Sequence, residues 1–191
     1  VDTADGSDKL VGTNGNDAIF LHNLVTKGDL NWLQDKTSSQ DEIYQGKRLL
    51  GLNEIDLKGG DNFLDLSGDG NSLSGDNINI TVGAGADILW LSDANETVNT
   101  GAGHDELIVN GGNDTIATGV GNDIITIADN VGTLTLTDFN PTEDTLVFSV
   151  AENKITRVDK VLTVENPLGN YQITIDTLNT SDVLADFSTF V

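Results

Sequence analysis

Short aliphatic runs alternate with glycine-rich turns along much of the chain, and they recur every nine residues. The clearest unit reads Thr118-Gly-Val-Gly-Asn-Asp123-Ile-Ile-Thr, with glycine two positions before an aspartate and an aliphatic residue two positions after it. Glycine permits a positive φ, so such a turn can direct carbonyl oxygens inward. The aliphatic residue begins a strand of about three residues whose inward side chain contributes to a core. Each unit therefore predicts one turn followed by one short strand.

The unit is repeated in register, and internal repeats of this length indicate a solenoid. Gly12-Thr-Asn-Gly-Asn-Asp17-Ala-Ile-Phe is a further copy near the N-terminus. Two units make one coil, so we expect acids eighteen residues apart to stack on the same edge. The stacked acids are Asp87, Asp105 and Asp123 on one edge, and Glu96 and Asp114 on the other. We predict an all-β fold, a parallel β-roll or β-solenoid of nonapeptide repeats.

The distribution of charge indicates that these edges need a cation. The 191 residues include 31 Asp and Glu but nine Lys and Arg, and residues 59–153 hold 16 acids and no basic residue. Carboxylates stacked about 5–6 Å apart repel by roughly 3 kcal/mol per pair at an effective dielectric constant of about 20. Several such pairs would rival the stability of a whole domain. Carboxylate and carbonyl oxygens in flexible turns suit Ca²⁺ better than Mg²⁺ or zinc, so we expect several Ca²⁺ ions.

The nonapeptide resembles the calcium-binding repeat of the repeats-in-toxin (RTX) family. The resemblance implies that the five stacked acids bridge Ca²⁺ between successive coils, and that carbonyls of the glycine turns complete each shell. It implies the same role for Asp17 in the first copy.

Two segments depart from the repeat pattern. The unit ending at Glu96 lacks both glycines, which leaves Asp93 as an alternative ligand on that edge. Residues 59–81 lose the regular spacing, and we expect irregular coils there, with Asp69 and Asp76 as candidate calcium ligands.

We interpret the chain as one domain with a first repeat at 10–20, an insertion at 21–58, roll repeats at 59–131 and a C-terminal β cap at 132–191. The insertion carries five of the nine basic residues, together with Trp32 and Tyr44. Insertions in repeat arrays often map to the binding face, so these two residues and Trp90 are candidate ligand-binding residues. Alternatively, Trp32 and Tyr44 cap the end of the roll. Residues 39–50 are compatible with a short helix or helical turn.

The C-terminal region alternates hydrophobic and polar residues. The stretch 134–148 alternates on both sides of Pro141, which predicts a hairpin, and residues 158–177 predict two more strands. The region resembles the segments that follow RTX arrays. By that resemblance Asp138 and Asp144 share a further Ca²⁺, the alternative being a solvated turn. We expect the region to cover the open end of the roll.

Composition and motifs exclude several classes of protein. An excess of acids this large disfavours nucleic acids and anionic membranes, and no apolar run reaches the roughly 18 residues of a membrane helix. The absence of Cys removes disulfides and thiolate metal sites. No metalloprotease, serine-hydrolase or phosphate-loop motif occurs. His22 has no partner at metal-ligand spacing, and His104 is expected to face solvent. We therefore expect no enzymatic activity.

The resemblance implies an extracellular, calcium-dependent module of a large bacterial RTX adhesin, exported unfolded by type I secretion. We expect a monomer that binds a peptide or glycan on another cell. Because the chain starts at Val1 without a signal segment, we also expect it to be a fragment flanked by further domains. The main alternative is a purely structural, calcium-stiffened spacer or secretion-linked cap. Ice binding and an accessory role in an RTX exoenzyme are further alternatives, although the position three before each acid shows no Thr or Asn ladder.

Overall fold

The computed structural model describes residues 8–20, 42–45, 52–67, 77–128, 131–148, 154–165 and 169–178. Within these ranges the chain forms strands and turns, and no helix there could cross a membrane. The strands are β1 Asp8–Val11, β2 Asp17–Phe20, β3 Glu42–Gln45, β4 Leu52–Asp56, β5 Phe63–Asp65, β6 Asn77–Thr81, β7 Ile88–Trp90, β8 Asn95–Asn99, β9 Glu106–Val109, β10 Asn113–Ala117, β11 Ile124–Ile127, β12 Thr133–Leu136, β13 Thr145–Phe148, β14 Lys154–Val158, β15 Val161–Glu165 and β16 Tyr171–Ile175.

From β4 to β13 the strands alternate between two sheets, so that each coil contributes one strand to each sheet. The nine-stranded sheet has the order β1-β4-β6-β8-β10-β12-β16-β15-β14, and the seven-stranded sheet has the order β13-β11-β9-β7-β5-β2-β3. Neighbouring strands of successive coils are parallel, as in the pairing of β9 with β7 and β11. The predicted all-β parallel roll is confirmed.

The core lies between the two sheets and is built from side chains in register. Leu107 of β9 stands opposite Leu89 on one side and Ile125 on the other, and all three are fully buried. Because side chains alternate along a strand, their neighbours point outward. The outward residue next to Ile125 is Ile124, which is 42% exposed.

The predicted hairpin around Pro141 is wrong. Strands β12 and β13 lie in different sheets, where β12 pairs in parallel with β10 and β13 with β11. The roll therefore continues as far as Phe148, into the region assigned to the cap. Alternating hydrophobicity indicates one buried face for each strand and does not distinguish a hairpin from a further coil, because the buried face has the same period in both.

Both described parts of the segment interpreted as an insertion belong to the sheets. Residues 42–45 form β3, which pairs in parallel with β2. A short helix or helical turn over these residues is therefore wrong. Residues 52–56 form β4, which lies between β1 and β6. Its buried residues, Leu52 and Ile55, are three positions apart rather than two, and it lacks the glycine turn and buried acid that mark the other units. The repeat signature alone therefore could not reveal it.

The last described strands extend the nine-stranded sheet in antiparallel fashion. Strand β15 pairs with β14 on one side and β16 on the other, and β16 adds in parallel to β12. Two strands predicted within 158–177 are thus confirmed as β15 and β16. Their inward residues, among them Leu162 and Ile173, are fully buried in the common core.

Candidate calcium site

The turns that lead from the nine-stranded into the seven-stranded sheet form one side of the roll, which we call the first edge. At the end of each turn stands one polar residue whose side-chain oxygen accepts the backbone N–H of the equivalent residue in the preceding coil. The distances are 3.0 Å from Asp17 N to Asn62 Oδ1, 2.8 Å from Asn62 N to Asp87 Oδ1, 2.9 Å from Asp87 N to Asp105 Oδ1, 2.9 Å from Asp105 N to Asp123 Oδ1 and 3.1 Å from Asp123 N to Asp144 Oδ1. This ladder confirms the predicted stacking of the acids eighteen residues apart.

The second edge holds a shorter version of the same ladder. The backbone N–H of Glu96 donates to Asp114 Oδ1 at 2.9 Å. Glu96 Oε1 in turn accepts the backbone N–H of Ser92 at 3.2 Å. In the strand register these two acids lie between Ile78 and Leu134, so the described acidic ladder on this edge has two members.

Five carboxylates are buried with one oxygen lacking any hydrogen-bond partner. Each is at most 2% exposed, and its first oxygen accepts a backbone N–H of the ladder or turn. The unpartnered atoms are Asp87 Oδ2, Glu96 Oε2, Asp105 Oδ2, Asp114 Oδ2 and Asp123 Oδ2. A buried carboxylate oxygen without a partner loses the solvation of a charged group, which costs more than an unpaired neutral group. These five are the acids that the repeat spacing selected.

Burial raises the pKa values of several of these carboxylates. Loss of hydration raises the pKa of Asp87 to about 7, of Asp114 to about 8 and of Asp123 to about 6. Burial also raises the pKa values of Asp105 and Asp144. Nearby acids add to the effect, as the charge of Asp105 does at Asp87. Near neutral pH the ladder therefore favours binding a positive charge, either a proton or a metal cation.

The donor set suits a hard divalent cation. The unpartnered atoms are all carboxylate oxygens, and backbone carbonyls of the adjoining turns supply oxygen of the same kind, which is the chemistry of Ca²⁺. No group of three or more His, Asp or Glu side chains in the described ranges is placed to hold an ion. Backbone carbonyls must therefore provide much of each shell. The residues that would hold Ca²⁺ are the five acids with an unpartnered oxygen. They pair between adjacent coils as Asp87 with Asp105, Asp105 with Asp123, and Glu96 with Asp114.

Glycine allows the turns of adjacent coils to approach each other closely. Gly101 has a φ of +101°, and a Cβ there would overlap the carbonyl oxygen of Gly83 in the preceding coil. Gly103 faces Gly85 in the same way. The turns can therefore stack with their carbonyls close to the carboxylates, which a larger residue would prevent.

The other predicted acids have different environments. Asp17 has no unpartnered oxygen, because Thr13 donates to it from its backbone N–H at 2.8 Å and from its hydroxyl at 3.1 Å. Asp138 accepts the backbone N–H groups of Thr118 and Gly119 at 2.8 and 3.0 Å. Asp144 ends the ladder on the first edge. A Ca²⁺ shared by Asp138 and Asp144 stays a prediction.

On the second edge the ladder position belongs to Glu96 rather than to Asp93. Glu96 is 1% exposed, whereas Asp93 is exposed and accepts the backbone N–H of Gly111 at 3.3 Å. His104 is exposed as predicted, and its Nδ1 accepts the backbone N–H of Asn122 at 3.0 Å.

The candidate ligand-binding aromatics are described in part. Trp90 is half-buried, with its ring in edge-on contact with Phe63 at a centroid distance of 5.3 Å. Three other predicted residues, Trp32, Asp69 and Asp76, and the side chain of Tyr44 lie outside the described part of the chain.

Asn62 is a member of the first-edge ladder that the sequence did not single out. It occupies the ladder position beside Asp87, where the eighteen-residue spacing predicts Asp69. The coil between Asn62 and Asp87 is 25 residues long, so a fixed period misses it. The signal available in the sequence was Gly59-Gly-Asp-Asn62-Phe, in which the amide stands where other units have an acid.

Buried acids stack on both edges of this parallel two-sheet roll, an arrangement that fits a calcium-binding β-roll. Comparison with known families matches residues 2–22, 79–107 and 90–125 to the RTX calcium-binding nonapeptide repeat. These matches, together with the parallel two-sheet solenoid, fit an RTX β-roll module, and the matched repeats imply Ca²⁺ binding.

Among solved structures, the crystal structure of the extracellular lipase LipA from Serratia marcescens is similar to 98% of this chain, with 14% identity and a TM-score of 0.34. The match covers 38% of the lipase chain. Comparison with curated protein sequences gives no match.

Proposed function

We propose that this RTX module is an extracellular, calcium-dependent ligand-binding unit of a larger adhesin, and that it binds a peptide or glycan on another cell or surface. In this proposal the Ca²⁺ ions hold the coils together, and the outer surface of the roll contacts the ligand. The module works as a monomer within a longer protein and performs no catalysis.

The observation that carries the proposal is a group of apolar side chains on the outer face of the seven-stranded sheet, where the exposed Glu106 stands between Ile88 and Ile124. Trp90 and Ile108 stand side by side on neighbouring strands, and both are half-buried. Ile124 is 42% exposed on the next strand. A spacer in contact only with solvent has no need of such a surface, whereas binding sites commonly combine aromatic and aliphatic side chains.

The same face becomes a buried aromatic cluster toward the N-terminal coils. Phe20 and Phe63 are 3% and 0% exposed, with ring centroids 5.2 Å apart, and Trp90 packs against Phe63. Trp90 therefore marks the boundary between a covered apolar region and an accessible one. A rigid, partly exposed aromatic at such a boundary suits an anchor for a ligand.

The opposite face of the roll differs in chemistry. On the outside of the nine-stranded sheet, Thr97, Thr115 and Thr135 stand in register on β8, β10 and β12. The roll therefore carries a threonine ladder, at a position other than the one three before each acid, and the expectation of no ladder is wrong. This polar face contrasts with the apolar side chains outside the seven-stranded sheet. The contrast supplies a control surface for mutagenesis.

Export and calcium are linked in the proposal. A chain with a net charge of −22 repels itself where calcium is scarce, as in the cytosol, which suits passage through a type I channel as an unfolded chain. Outside the cell, bound Ca²⁺ neutralises the negative charge of the buried acids. A site at about 100 times its Kd adds roughly 2.7 kcal/mol to the free energy of folding.

The test compares binding to a glycan array and a displayed peptide library with Ca²⁺ and with chelator. We expect hits that require Ca²⁺, that Ile124→Lys weakens at least about tenfold, and that Thr115→Lys on the polar face leaves unchanged. Both substitutions add one positive charge at a position that faces solvent. Equal loss with both variants, or no Ca²⁺-dependent hit, would contradict the proposal.

A structural role is the second candidate, and the antiparallel end of the nine-stranded sheet favours it. Strands β14, β15 and β16 extend that sheet beyond the last coil and contribute fully buried side chains such as Leu162. An extension of this kind closes a roll as a cap. If the module is a calcium-stiffened spacer or secretion-linked cap, the array gives no hits, while the calcium-dependent folding persists.

A further inference from the structure

Asn62 differs from every other described member of the first-edge ladder between Asp17 and Asp144, because its side chain carries hydrogen-bond donors. Its Oδ1 accepts the backbone N–H of Asp17 at 3.0 Å, as a carboxylate would. Its Nδ2 donates to Asp87 Oδ1 at 2.8 Å and to the carbonyl of Gly60 at 2.9 Å, with a longer contact of 3.4 Å to the carbonyl of Val82. The amide group is fully buried.

The Nδ2 group therefore faces one carboxylate oxygen and two turn carbonyls. These are the same kinds of ligand, from the same positions of adjacent coils, that a Ca²⁺ ion would need further along the edge. An amide N–H group carries partial positive charge and can satisfy such oxygens without a metal. Asn62 thus fills its place in the ladder without contributing a negative charge.

The distribution of unpartnered oxygens agrees with this reading. Asp17, on one side of Asn62, has both oxygens engaged by Thr13. Among the residues described, the first carboxylate of this edge with an unpartnered buried oxygen is Asp87, which follows Asn62 in the ladder. The unsatisfied part of the edge begins immediately after the amide.

Ion pairs give independent support. Lys9 lies 2.6 Å from Glu54 and 3.1 Å from Asp56, and Lys58 also contacts Asp56. The two pairs of Lys9 join β1 to β4, the strands of the nine-stranded sheet that belong to the first coils, and the Lys58 pair lies at the end of β4. After Lys58 the sequence has no basic residue before Lys154. The described ion pairs of Lys9 and Lys58 therefore lie in the coils beside Asn62.

We propose that the Asn62 amide replaces a calcium ion between the first coils, so that calcium binding on this edge begins at Asp87. The coils formed by residues 8–20 and 52–67 are held together by the amide and the lysines. The later coils depend on Ca²⁺. The roll therefore has a metal-independent end and a metal-dependent end.

The test is to count bound ions by native mass spectrometry at saturating Ca²⁺. Asn62→Asp should bind one ion more than the unmodified chain, because it restores a carboxylate to the ladder. The reciprocal variant Asp105→Asn should bind at least one ion fewer. Asn79→Asp adds the same charge at an exposed position on β6 and should leave the count unchanged. An unchanged count for a folded Asn62→Asp chain would overturn the proposal.

A second measurement needs no variant. Crystals of the unmodified chain soaked with Tb³⁺ should show anomalous peaks beside Asp87, Asp105 and Asp123, and none within coordination distance of Asn62. A peak on the side-chain oxygen of Asn62 would overturn the proposal. Neither result depends on whether the module binds a peptide or glycan, so a failure here is distinguishable from a failure of the adhesion proposal.

Discussion

The backbone N–H of Asp87 donates to Oδ1 of Asp105, eighteen residues later, at 2.9 Å. The bond joins one coil to the next, and it leaves the second oxygen of each of these carboxylates buried and without a hydrogen-bond partner. The hydrogen bonds that stack the coils therefore also create the demand for a cation. Coil stacking and calcium binding are two consequences of one arrangement.

Removing a ladder carboxylate should weaken the response to calcium. Asp105 has neighbours on both sides in the ladder, so Asp105→Ala removes a ligand from two inter-coil sites. We expect the calcium-dependent gain in unfolding free energy to fall by about 3 kcal/mol or more, the contribution of one well-filled site. Urea unfolding at several Ca²⁺ concentrations up to saturation measures the gain in each variant. Glu106→Ala, at an exposed neighbouring position, is the control, and an equal loss in both variants would contradict the assignment.

Adding a methyl group at a stacked glycine should destabilise the roll. Gly101→Ala places a Cβ against the Gly83 carbonyl and requires a φ of +101°, so we expect a loss of about 2–4 kcal/mol. Gly59→Ala is the matched control, because its Cβ would meet the nearest atom at 3.4 Å, an ordinary contact. Thermal unfolding in saturating Ca²⁺ compares the two. Similar melting temperatures for both variants would show that the turns do not approach as closely as described.

Without calcium, stability should fall as pH rises. Burial raises the pKa of Asp87 to about 7 and of Asp114 to about 8, so these groups bind protons more tightly in the folded than in the unfolded chain. Their contribution is fully present below about pH 4, where unfolded carboxyls are also protonated, and is lost as pH rises to about 8.

The far-UV circular dichroism signal in calcium-free buffer at several pH values measures this dependence, because the folded fraction should fall as pH rises. With saturating Ca²⁺, the metal replaces the proton and the fall should largely disappear. A calcium-free protein that grows more stable between about pH 5 and pH 8 would show that burial does not raise the pKa values of these carboxyls.

A core substitution should destabilise the calcium-loaded roll through lost packing. Leu107 is fully buried between Leu89 and Ile125, so Leu107→Ala should cost about 2–5 kcal/mol through lost contacts and a cavity. Ile124→Ala, on the exposed side of the next strand, should cost less than about 1 kcal/mol. Denaturant unfolding in saturating Ca²⁺ tests both. A larger cost for the Ile124 substitution than for the Leu107 substitution would show that the inward and outward faces are assigned the wrong way round.

The regular part of the roll could be predicted from the sequence because its signal is strictly periodic. Acids such as Asp87 and Asp105 recur at the interval of one coil, and the structure places them in register. Glu96 keeps the ladder position without flanking glycines, since the ladder requires a carboxylate at the end of the turn. The spacing thus predicted the stacked acids of both edges from Asp87 to Asp123, including Glu96.

What the sequence could not provide lies where the coil length changes. The coil from Asn62 to Asp87 is longer than two repeats, so counting in steps of nine or eighteen passes over Asn62. Strand β4 carries no turn signature, and β12 and β13 have the alternation of a hairpin although they belong to different sheets. In each case the partner strand is set by packing between coils, which local pattern does not encode.

The measurement that most directly tests the account is a calcium titration of chelator-treated protein followed by far-UV circular dichroism, with Mg²⁺ in parallel. The account predicts that the chain without Ca²⁺ lacks most of its β signal, and that Ca²⁺ restores the signal cooperatively while Mg²⁺ at the same concentration does not. A chain that is fully β-structured and equally stable in chelator would contradict the central claim that the buried carboxylates need Ca²⁺ for the roll to form.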